Sequence, residues 1–466
     1  MPRYAKAMAL ALAATLAGCA VQSPRSTALP ETPLPAAWSA GLAAPTEASS
    51  LAQWWERFED PLLAALVTQA LEVNTTVRTA QSALQQARAL RDGKAANLLP
   101  VVNASASAER SRSGGNPATT SYRAGFDASW ELDVFGARHS ALDAAEGEAR
   151  AAETSLADVQ VSIAAEVAVT YVEMRGLQAR LAIARSNLAS QIETQQITEW
   201  RVQAGLASSL DLEQARSASA QTSAQIPVLE TSAAQAQNSL AVLTGQAPGA
   251  LQAMLADASV VRAPGDLAVS IPAQTLRQRA DVRTAEHRIS AALARVAQAD
   301  AARYPSFKIS GFLGLSALSS GGMTTAFTAA NSLLGSVAMP LIDGGAAKAE
   351  VRVQKAALEQ TRIGYQAAVL TALKDVEDAL IALRGDRERL ARLEIAADAA
   401  GNADLLARQR YASGLIDFRT VLETQRTLLA TQDGVESTRA SLNSDHVRLY
   451  KALGGGWTPS AESAPQ

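Results

Sequence analysis

The sequence contains very few of the residues that form disulfides, metal centres or bulky apolar cores. Among its 466 residues there are one cysteine and three histidines, and aromatic residues make up 4% of the chain. A disulfide within the chain is therefore excluded, and His139, His287 and His446 show no metal-ligand spacing. The formal net charge is −3, without the clustered basic face that nucleic-acid binding requires, so no nucleic-acid partner is expected.

The motifs of common enzyme classes are also missing. No glycine-rich loop is followed by the lysine that would hold a nucleotide phosphate, and no motif presents a serine nucleophile. We therefore predict that the protein is not an enzyme and uses no cofactor and no metal. Because no run of about 18 consecutive apolar residues is present, no membrane-spanning helix is predicted either.

The first residues have the layout of a bacterial export signal. Arg3 and Lys6 precede an apolar run over 7–16, and the run ends in the tetrapeptide Leu16-Ala17-Gly18-Cys19. This tetrapeptide resembles the lipobox of bacterial lipoproteins. The resemblance implies that 1–18 is a signal peptide and that Cys19 carries a diacylglycerol and an N-acyl chain. Ala20 favours the outer membrane, and a plain signal peptide with an incidental cysteine is the alternative.

The chain repeats itself with a constant offset. Gly136 and Gly345, Gly205 and Gly414, and Gly245 and Gly454 are each 209 residues apart, and the segment RVQAGL parallels RYASGL. We therefore predict two copies of one structural unit, with further segments around them. The predicted divisions are a signal peptide (1–18), a lipidated N-terminal linker (19–60), a first repeat (61–255), an inter-repeat linker (256–273), a second repeat (274–454) and a flexible C-terminal tail (455–466).

Each repeat predicts the same series of elements: a helix, two strands, a very long helix that ends at a glycine, and a return helix. Proline stops the first helix, and the glycine suits the left-handed position after the long one. The predicted helices are 61–97, 137–204 and 210–244 in the first repeat, and 274–303, 346–412 and 418–453 in the second. The predicted strands are 101–112, 121–134, 307–316 and 333–342.

The long helices carry apolar residues at steps of three and four, which is the seam of a coiled coil. The first seam consists of Ile163, Val167, Thr170, Met174, Leu177, Leu181, Ala184 and Leu188, and the second of Val369, Leu373, Val376, Leu380, Leu383, Arg387 and Leu390.

The strand segments alternate between apolar and polar residues. Tyr122, Phe126 and Trp130 fall on one face of the second strand, and Arg123 and Asp127 fall on the other. Four strands cannot close a barrel in lipid, because an open edge leaves backbone groups unpaired there. A trimer would supply about twelve strands of the length that crosses a membrane when tilted. A soluble four-stranded sheet packed on helices is the alternative.

Four segments in order resemble the outer membrane factors of tripartite efflux systems, the TolC-like channels, and among them the OprM and NodT-type lipoproteins. They are WWERFEDPLLAAL (54–66), SWELDVFG (129–136), LRQRADVRTAEHRISAALARVAQADAARYPS (276–306) and LYKALGGGW (449–457). The resemblance implies a mainly α protein with a membrane β-barrel: a homotrimer with four strands per chain, continued by a coiled-coil tube of helices across the periplasm. It also implies an outer membrane channel that passively conducts substrates delivered by a periplasmic adaptor and an inner-membrane transporter.

The resemblance further assigns roles near the two helix-ending glycines. Asp211 matches a gate aspartate, Tyr411 its tyrosine partner, and Glu423 a position in an acidic ring. Arg419 stands where relatives often have an apolar ring residue, and it is placed to form an ion pair with Glu423 four residues on. The adaptor is expected to dock at the tips, through Arg201, Gly205, Leu206, Arg410, Gly414 and Leu415.

Two other non-enzymatic functions remain open at this point. One is a structural coiled-coil lipoprotein of the outer membrane without channel activity, which would explain the helices but not the alternating strands. The other is a periplasmic adaptor, which has one helical hairpin between β-rich domains and lacks the 209-residue duplication seen here.

Overall fold

The computed structural model describes residues 34–35, 38, 51–112, 114, 118–256, 261, 276, 279–320, 323–324 and 326–457. The predicted signal peptide, Cys19 and most of the inter-repeat linker lie outside these residues. The described chain divides into two compact units. The strand unit contains Ser82–Glu153 and Arg283–Ala367, and the helix unit contains Thr32–Gln81, Thr154–Val282 and Ala368–Gln466.

The described elements follow the predicted duplicated order. A 3-10 helix spans Trp54–Phe58. The first repeat contains α1 (Pro61–Val73), α2 (Thr75–Ala96), β1 (Val101–Ser111), β2 (Thr119–Leu132), α3 (Ala137–Gln203) and α4 (Ser209–Leu243). The second contains α5 (Ala280–Ala301), β3 (Ser306–Ser320), β4 (Met323–Thr324), β5 (Thr328–Ala338), α6 (Ala346–Ala412) and α7 (Phe418–Ala452). Corresponding helices of the two repeats also have the same length: α3 and α6 have 67 residues each, and α4 and α7 have 35 each.

The first helix differs from the prediction of one continuous helix, because Asn74 divides it. The Asn74 side chain accepts hydrogen bonds from the backbone N–H groups of Thr76 and Val77, at 2.8 and 3.3 Å, which caps the start of α2. Its amide nitrogen donates to the carbonyl of Leu243 at 2.8 Å, beside the end of α4. A single side chain therefore ends one helix, begins the next and ties both to the return helix.

The strands form one antiparallel sheet in the order β1, β2, β3, β5, with the short β4 paired to the end of β3. In this register Tyr122, Phe126 and Trp130 lie opposite Ala317, Leu313 and Ile309. Residues directly opposite each other share a face, so the predicted apolar face is continuous across β2 and β3. The face is open: Phe126 is 59% exposed and Leu313 is 63% exposed.

The strand ends also differ from the prediction in the second repeat. Strand β3 continues to Ser320, beyond the predicted end at 316, and β5 begins at Thr328 rather than at 333 and ends at Ala338. Residues 317–320 of β3 pair with residues 119–122 of β2, and Ser316 pairs with Thr328 of β5, so backbone pairing continues beyond the alternating residues.

The opposite face of the sheet contains a glycine-lined seat for an aromatic ring. Gly125 and Gly314 lie opposite each other, and a Cβ atom on either would come within 2.9 or 2.7 Å of the Phe312 ring. The guanidinium of Arg123 lies 3.5 Å from the centre of that ring on its other side. Glycine is therefore needed at both positions, because the ring covers the bare backbone of the two strands.

In the helix unit, residues predicted as linker and tail belong to the core. Trp54 is fully buried and stacks on Tyr450, with ring centroids 5.3 Å apart. The backbone N–H groups of Gly455 and Gly456 donate to the carbonyls of Tyr450 and Leu51, each at 2.9 Å. The prediction that 19–60 and 455–466 are linker and flexible tail is therefore wrong for 51–60 and 455–457, because buried aromatic contacts hold these segments together.

The predicted seams of the long helices are confirmed. In the helix unit, Val167, Met174, Val376 and Leu380 are at most 2% exposed and belong to one apolar cluster. The remaining predicted seam positions are buried or half-buried. By length and composition α3 is the one helix of the described residues that could cross a membrane, but half of its most apolar window is buried, as in a core helix.

Both long helices begin with an aspartate cap that the sequence reading missed. The Asp133 carboxylate accepts from the backbone N–H groups of Arg138 and His139, at 3.0 and 2.8 Å, and contacts the His139 ring nitrogen at 2.5 Å. Asp343 accepts in the same way from Gly345 and Ala347. Burial raises the pKa of Asp133, but the hydrogen bonds from Arg138 and His139 outweigh burial, so the pKa lies below the ordinary value of 3.8.

We predict that Gly176→Ala destabilises the protein. A Cβ atom at Gly176 would lie 2.6 Å from the Cβ of Ala440 on α7, so α3 and α7 would have to separate. The expected cost is about 1–3 kcal/mol of unfolding free energy. The matched control is Gly385→Ala on α6, where a Cβ meets open space and alanine should stabilise the helix by about 1 kcal/mol. Equal melting temperatures for both variants would contradict the close approach.

We predict that Asp133→Asn lowers stability at neutral pH but not in acid. A carboxyl group whose folded pKa is depressed contributes stability above its unfolded pKa of 3.8, and that contribution is lost as pH falls through the lower folded value. The expected loss at pH 7 is about 1 kcal/mol. Thermal unfolding of both proteins between pH 3 and 7 checks this, and a difference that stays constant down to the lowest pH would contradict it.

Candidate functional site

The two repeats place the predicted tip residues in two turns of the same construction. Gly205 follows α3 and Gly414 follows α6, each with φ of 72°, a conformation that glycine adopts without strain. The N–H of Leu206 donates to the carbonyl of Arg201 at 2.7 Å, and the N–H of Leu415 donates to that of Arg410 at 2.9 Å. These bonds close each helix in the same way, so the sequence correctly located both turns.

Each turn presents one apolar side chain to solvent. Leu206 is 70% exposed and Leu415 is 74% exposed, and Leu210 in the first turn of α4 is 64% exposed. Leucine side chains that are this exposed contribute little to a core. They form an exposed apolar surface at the tips, which suits contact with another protein.

The return helices are capped by local side chains, and one of these caps uses the predicted gate aspartate. The hydroxyl of Ser208 accepts from the N–H of Asp211, and the Asp211 carboxylate accepts from the N–H and hydroxyl of Ser208, at 3.0 and 2.8 Å. This reciprocal arrangement is a capping box. Among the hydrogen bonds of the described residues, none joins Asp211 to Tyr411, so the predicted pair does not form within one chain.

Tyr411 is buried at the second tip and contacts both turns. Its ring packs against Phe418 with centroids 5.4 Å apart, and the guanidinium of Arg201 lies 4.4 Å from its ring centre. The Arg201 side chain also donates to the backbone carbonyl of Tyr411 at 2.5 Å. The predicted tip residue Arg201 and the predicted gate residue Tyr411 are therefore direct partners, a contact that the sequence reading did not foresee.

Arg419 and Glu423 are exposed on α7. The predicted ion pair between them is wrong for this structure, because no nitrogen–oxygen contact within 4.0 Å joins them among the described ion pairs. Exposed side chains four residues apart gain only a few tenths of a kcal/mol from pairing, which leaves each free to stay solvated. Their charges are thus available at the surface of the tip region.

Beyond the apolar seam, the long helices bury polar side chains near the tips. Thr194 and Thr198 of α3 are buried on the tip side of the apolar seam, and the amide of buried Gln425 donates to the hydroxyl of Thr194 at 3.0 Å. Asp404 is 1% exposed and pairs with Arg408 at 2.9 Å. Burial raises the pKa of Asp404, against the effect of Arg408. In the seam register Leu188 is followed by the polar residues Gln191 and Thr198, and this change could have been used to predict the polar layer.

A second charged region lies at the start of α5 and the end of α7. Arg279 donates to Asp281 at 2.7 Å, to Asp375 at 3.1 Å and to the carbonyl of Ala452 at 3.0 Å. These residues line a cleft of about 430 Å³ together with Asp158, Asp378, Asp445, Arg448 and Lys451. Among the described residues, no group of His, Cys, Asp or Glu side chains is arranged to hold a metal ion. Ion pairs and hydrogen bonds of Arg279 in this cleft join the start of α5, the end of α7 and the middle of α6.

Comparison with known proteins matches both repeats to one family. The model of the outer membrane efflux protein family aligns with residues 66–246 and 271–455. The chain is 33% identical over 448 residues to the pyoverdine export outer membrane protein OpmQ of Pseudomonas aeruginosa, covering 91% of this chain and 93% of the relative. It is 30% identical over 468 residues to the toluene efflux pump outer membrane protein TtgF of Pseudomonas putida, covering 97% and 96%.

Solved structures agree with the sequence matches. The outer-membrane channel OprN superimposes with a TM-score of 0.84 at 34% identity, covering 93% of this chain and 100% of that chain. The open state of the MtrE outer membrane channel of Neisseria gonorrhoeae superimposes with a TM-score of 0.79 at 25% identity, covering 92% and 98%. With both repeats matched in sequence and in structure, the chain belongs to the outer membrane efflux protein family.

Proposed function

We propose that three copies of the chain form a channel through the outer membrane, in which the sheets join into one closed barrel of twelve long strands. The observation that carries this proposal is the open sheet: among the described strands, β1 and β5 each pair on one side only. An unpaired strand edge in lipid costs several kcal/mol per backbone group, so a spanning sheet must close. The exposed Phe126 and Leu313 would then face lipid.

The outer membrane efflux channel extends into the periplasm, and its tips would meet the next component of the pump. A helix of 67 residues is about 100 Å long at the α-helical rise. The exposed Leu206 and Leu415 support docking of a periplasmic adaptor at the tips, with Arg201, Gly205, Arg410 and Gly414 forming the turns that hold them. The adaptor would couple the channel to an inner-membrane transporter that drives export.

The outer end of the assembly would be held by lipid as well as by strands. Cys19 lies outside the described residues, and its lipobox-like context supports a diacylglycerol and an N-acyl chain at that position. Several acyl chains anchor a protein stably, whereas a single chain binds only marginally.

The tip region would also close the channel when no partner is bound. Glu423 is exposed on α7, and three copies around one axis would form an acidic ring whose carboxylates repel each other and attract cations. Arg419, one turn earlier on the same helix, would add positive charge at a neighbouring level. Asp211 and Tyr411 would act at the tip turns, Asp211 by capping α4 and Tyr411 through its buried ring.

We predict that the purified protein inserts as a trimer and shows a small, mostly closed, cation-selective conductance in planar bilayers. Glu423→Ala should raise the conductance and reduce cation selectivity, because it removes the acidic ring. Glu388→Ala, at an exposed position of α6 away from the tips, is the matched control and should change neither. A trimer that inserts with the same conductance in all three proteins would remove Glu423 from the gate. Failure to insert would favour a structural lipoprotein instead.

We predict that Leu415→Glu abolishes export while the protein still inserts and assembles. The residue is 74% exposed and makes no core contact, so a charge there should disturb docking rather than folding. Leu206→Glu should act in the same way at the other turn. These changes test docking better than a large residue at Gly414, where a positive φ would strain any side chain. Normal export by both variants, with normal assembly, would refute docking through the turns.

A further inference from the structure

Arg201 connects the two tip turns. Among the described residues, it is the one side chain of the first turn that binds the backbone of the second. Its guanidinium donates to the carbonyl of Tyr411 at 2.5 Å and covers the Tyr411 ring at 4.4 Å. The same carbonyl accepts from the N–H of Gly414 at 2.9 Å, so Arg201 holds the oxygen that helps to close the second turn. A planar guanidinium can make both contacts at once, and an ammonium group cannot.

The Tyr411 ring is shielded from water, and Gly414 has no side chain beside the guanidinium of Arg201. Tyr411 is 7% exposed and packs on Phe418, and its hydroxyl has no hydrogen-bond partner among the described residues. A Cβ atom at Gly414 would already lie 3.9 Å from the guanidinium of Arg201. The ring face and the carbonyl, rather than the hydroxyl, therefore carry the interaction of Tyr411 with the first turn.

The duplication supplies an internal comparison. At the offset of 209 residues, Arg201 corresponds to Arg410 and Tyr411 corresponds to Val202. The Arg410 side chain is exposed and makes no hydrogen bond or ion pair among the described residues, and Val202 has no ring to offer a cation. The two repeats thus share the arginine and the turn, but only the arginine of the first repeat has an aromatic partner.

The aspartate at the tip does not compete for this role within the chain. The Asp211 carboxylate is engaged by Ser208 in the cap of α4. We propose that Arg201 positions Tyr411 and holds the two tip turns of one chain together in the closed channel, so that the Arg201–Tyr411 contact must break before the tips can separate. The inference rests on the proposed channel and assigns closure within each chain to a cation–π and carbonyl contact instead of an aspartate–tyrosine hydrogen bond.

Four substitutions distinguish this contact from the alternative. Arg201→Gln removes the cation, and Tyr411→Leu removes the ring while keeping the carbonyl and an apolar side chain. Tyr411→Phe removes only the hydroxyl, which the contact does not use. Arg392→Gln, at an exposed arginine of α6 away from the tips, is the matched control. Loss of the cation–π contact and the charged hydrogen bond of Arg201 together should change the equilibrium between closed and open tips by roughly tenfold.

The first measurement is single-channel conductance of the trimeric protein, with antibiotic sensitivity of cells as a second readout. Arg201→Gln should raise the open probability about tenfold. Tyr411→Leu should raise it less because the carbonyl contact remains, Tyr411→Phe should raise it least, and Arg392→Gln should leave it at the wild-type value. An Arg201→Gln channel as closed as wild type would overturn the proposal. So would a Tyr411→Phe channel as open as Arg201→Gln, because that outcome assigns closure to the hydroxyl.

A second measurement does not depend on conduction and so separates this inference from the proposed channel. Spin labels at Leu206→Cys and Leu415→Cys, in a Cys19→Ser background and diluted with unlabelled chains, report the distance between the two turns of one chain. Arg201→Gln should lengthen and broaden that distance, and Arg392→Gln should not. An unchanged distance in Arg201→Gln would overturn the proposal even if the channel forms, and a changed distance would support it even if no conductance is seen.

Discussion

A helix of 67 residues stays in place only if it buries enough apolar surface against its neighbours. In the helix unit, Val167 and Met174 of α3 and Val376 and Leu380 of α6 supply that surface. Glycine and alanine beside the seam let other helices approach, as Gly176 and Ala440 do. The caps, turns and ion pairs elsewhere set where helices begin and end, but they depend on this buried seam to hold the helices in place.

Toward the tips the long helices bury polar as well as apolar side chains. Near the tips the buried side chains include Thr194, Thr198, Gln425 and Asp404, and Asp404 pairs with the half-buried Arg408. Polar contacts inside a coiled coil fix the register at a cost in stability. The middle of the helices is therefore packed mainly by apolar side chains, whereas hydrogen bonds between buried polar side chains also join the helices near the tips. In the proposed closure, the contact of Arg201 with Tyr411 is one such link between the two tip turns.

The sequence predicted those parts of the molecule that local pattern determines. Alternation located the strands, periodicity located the seams, and the glycines at 205 and 414 located both turns. Features made by residues far apart in the chain were missed or wrong. Asn74 divides a helix because it also bonds to Leu243, and Trp54 is buried because Tyr450 stacks on it. At the tips, the pattern identified Arg201 and Tyr411 separately, but only the folded chain shows that they are partners.

The stacking of Trp54 on Tyr450 also bears on how the protein is made. The core of the helix unit is assembled from three separate stretches of chain, and its last members, from Val447 to Leu453, come almost at the end of the sequence. While the chain is still crossing the inner membrane, its early residues therefore lack the partners that bury them. The helix unit can complete its core only after synthesis and secretion are nearly finished, so each molecule reaches the periplasm in a form that still depends on its final helix to fold.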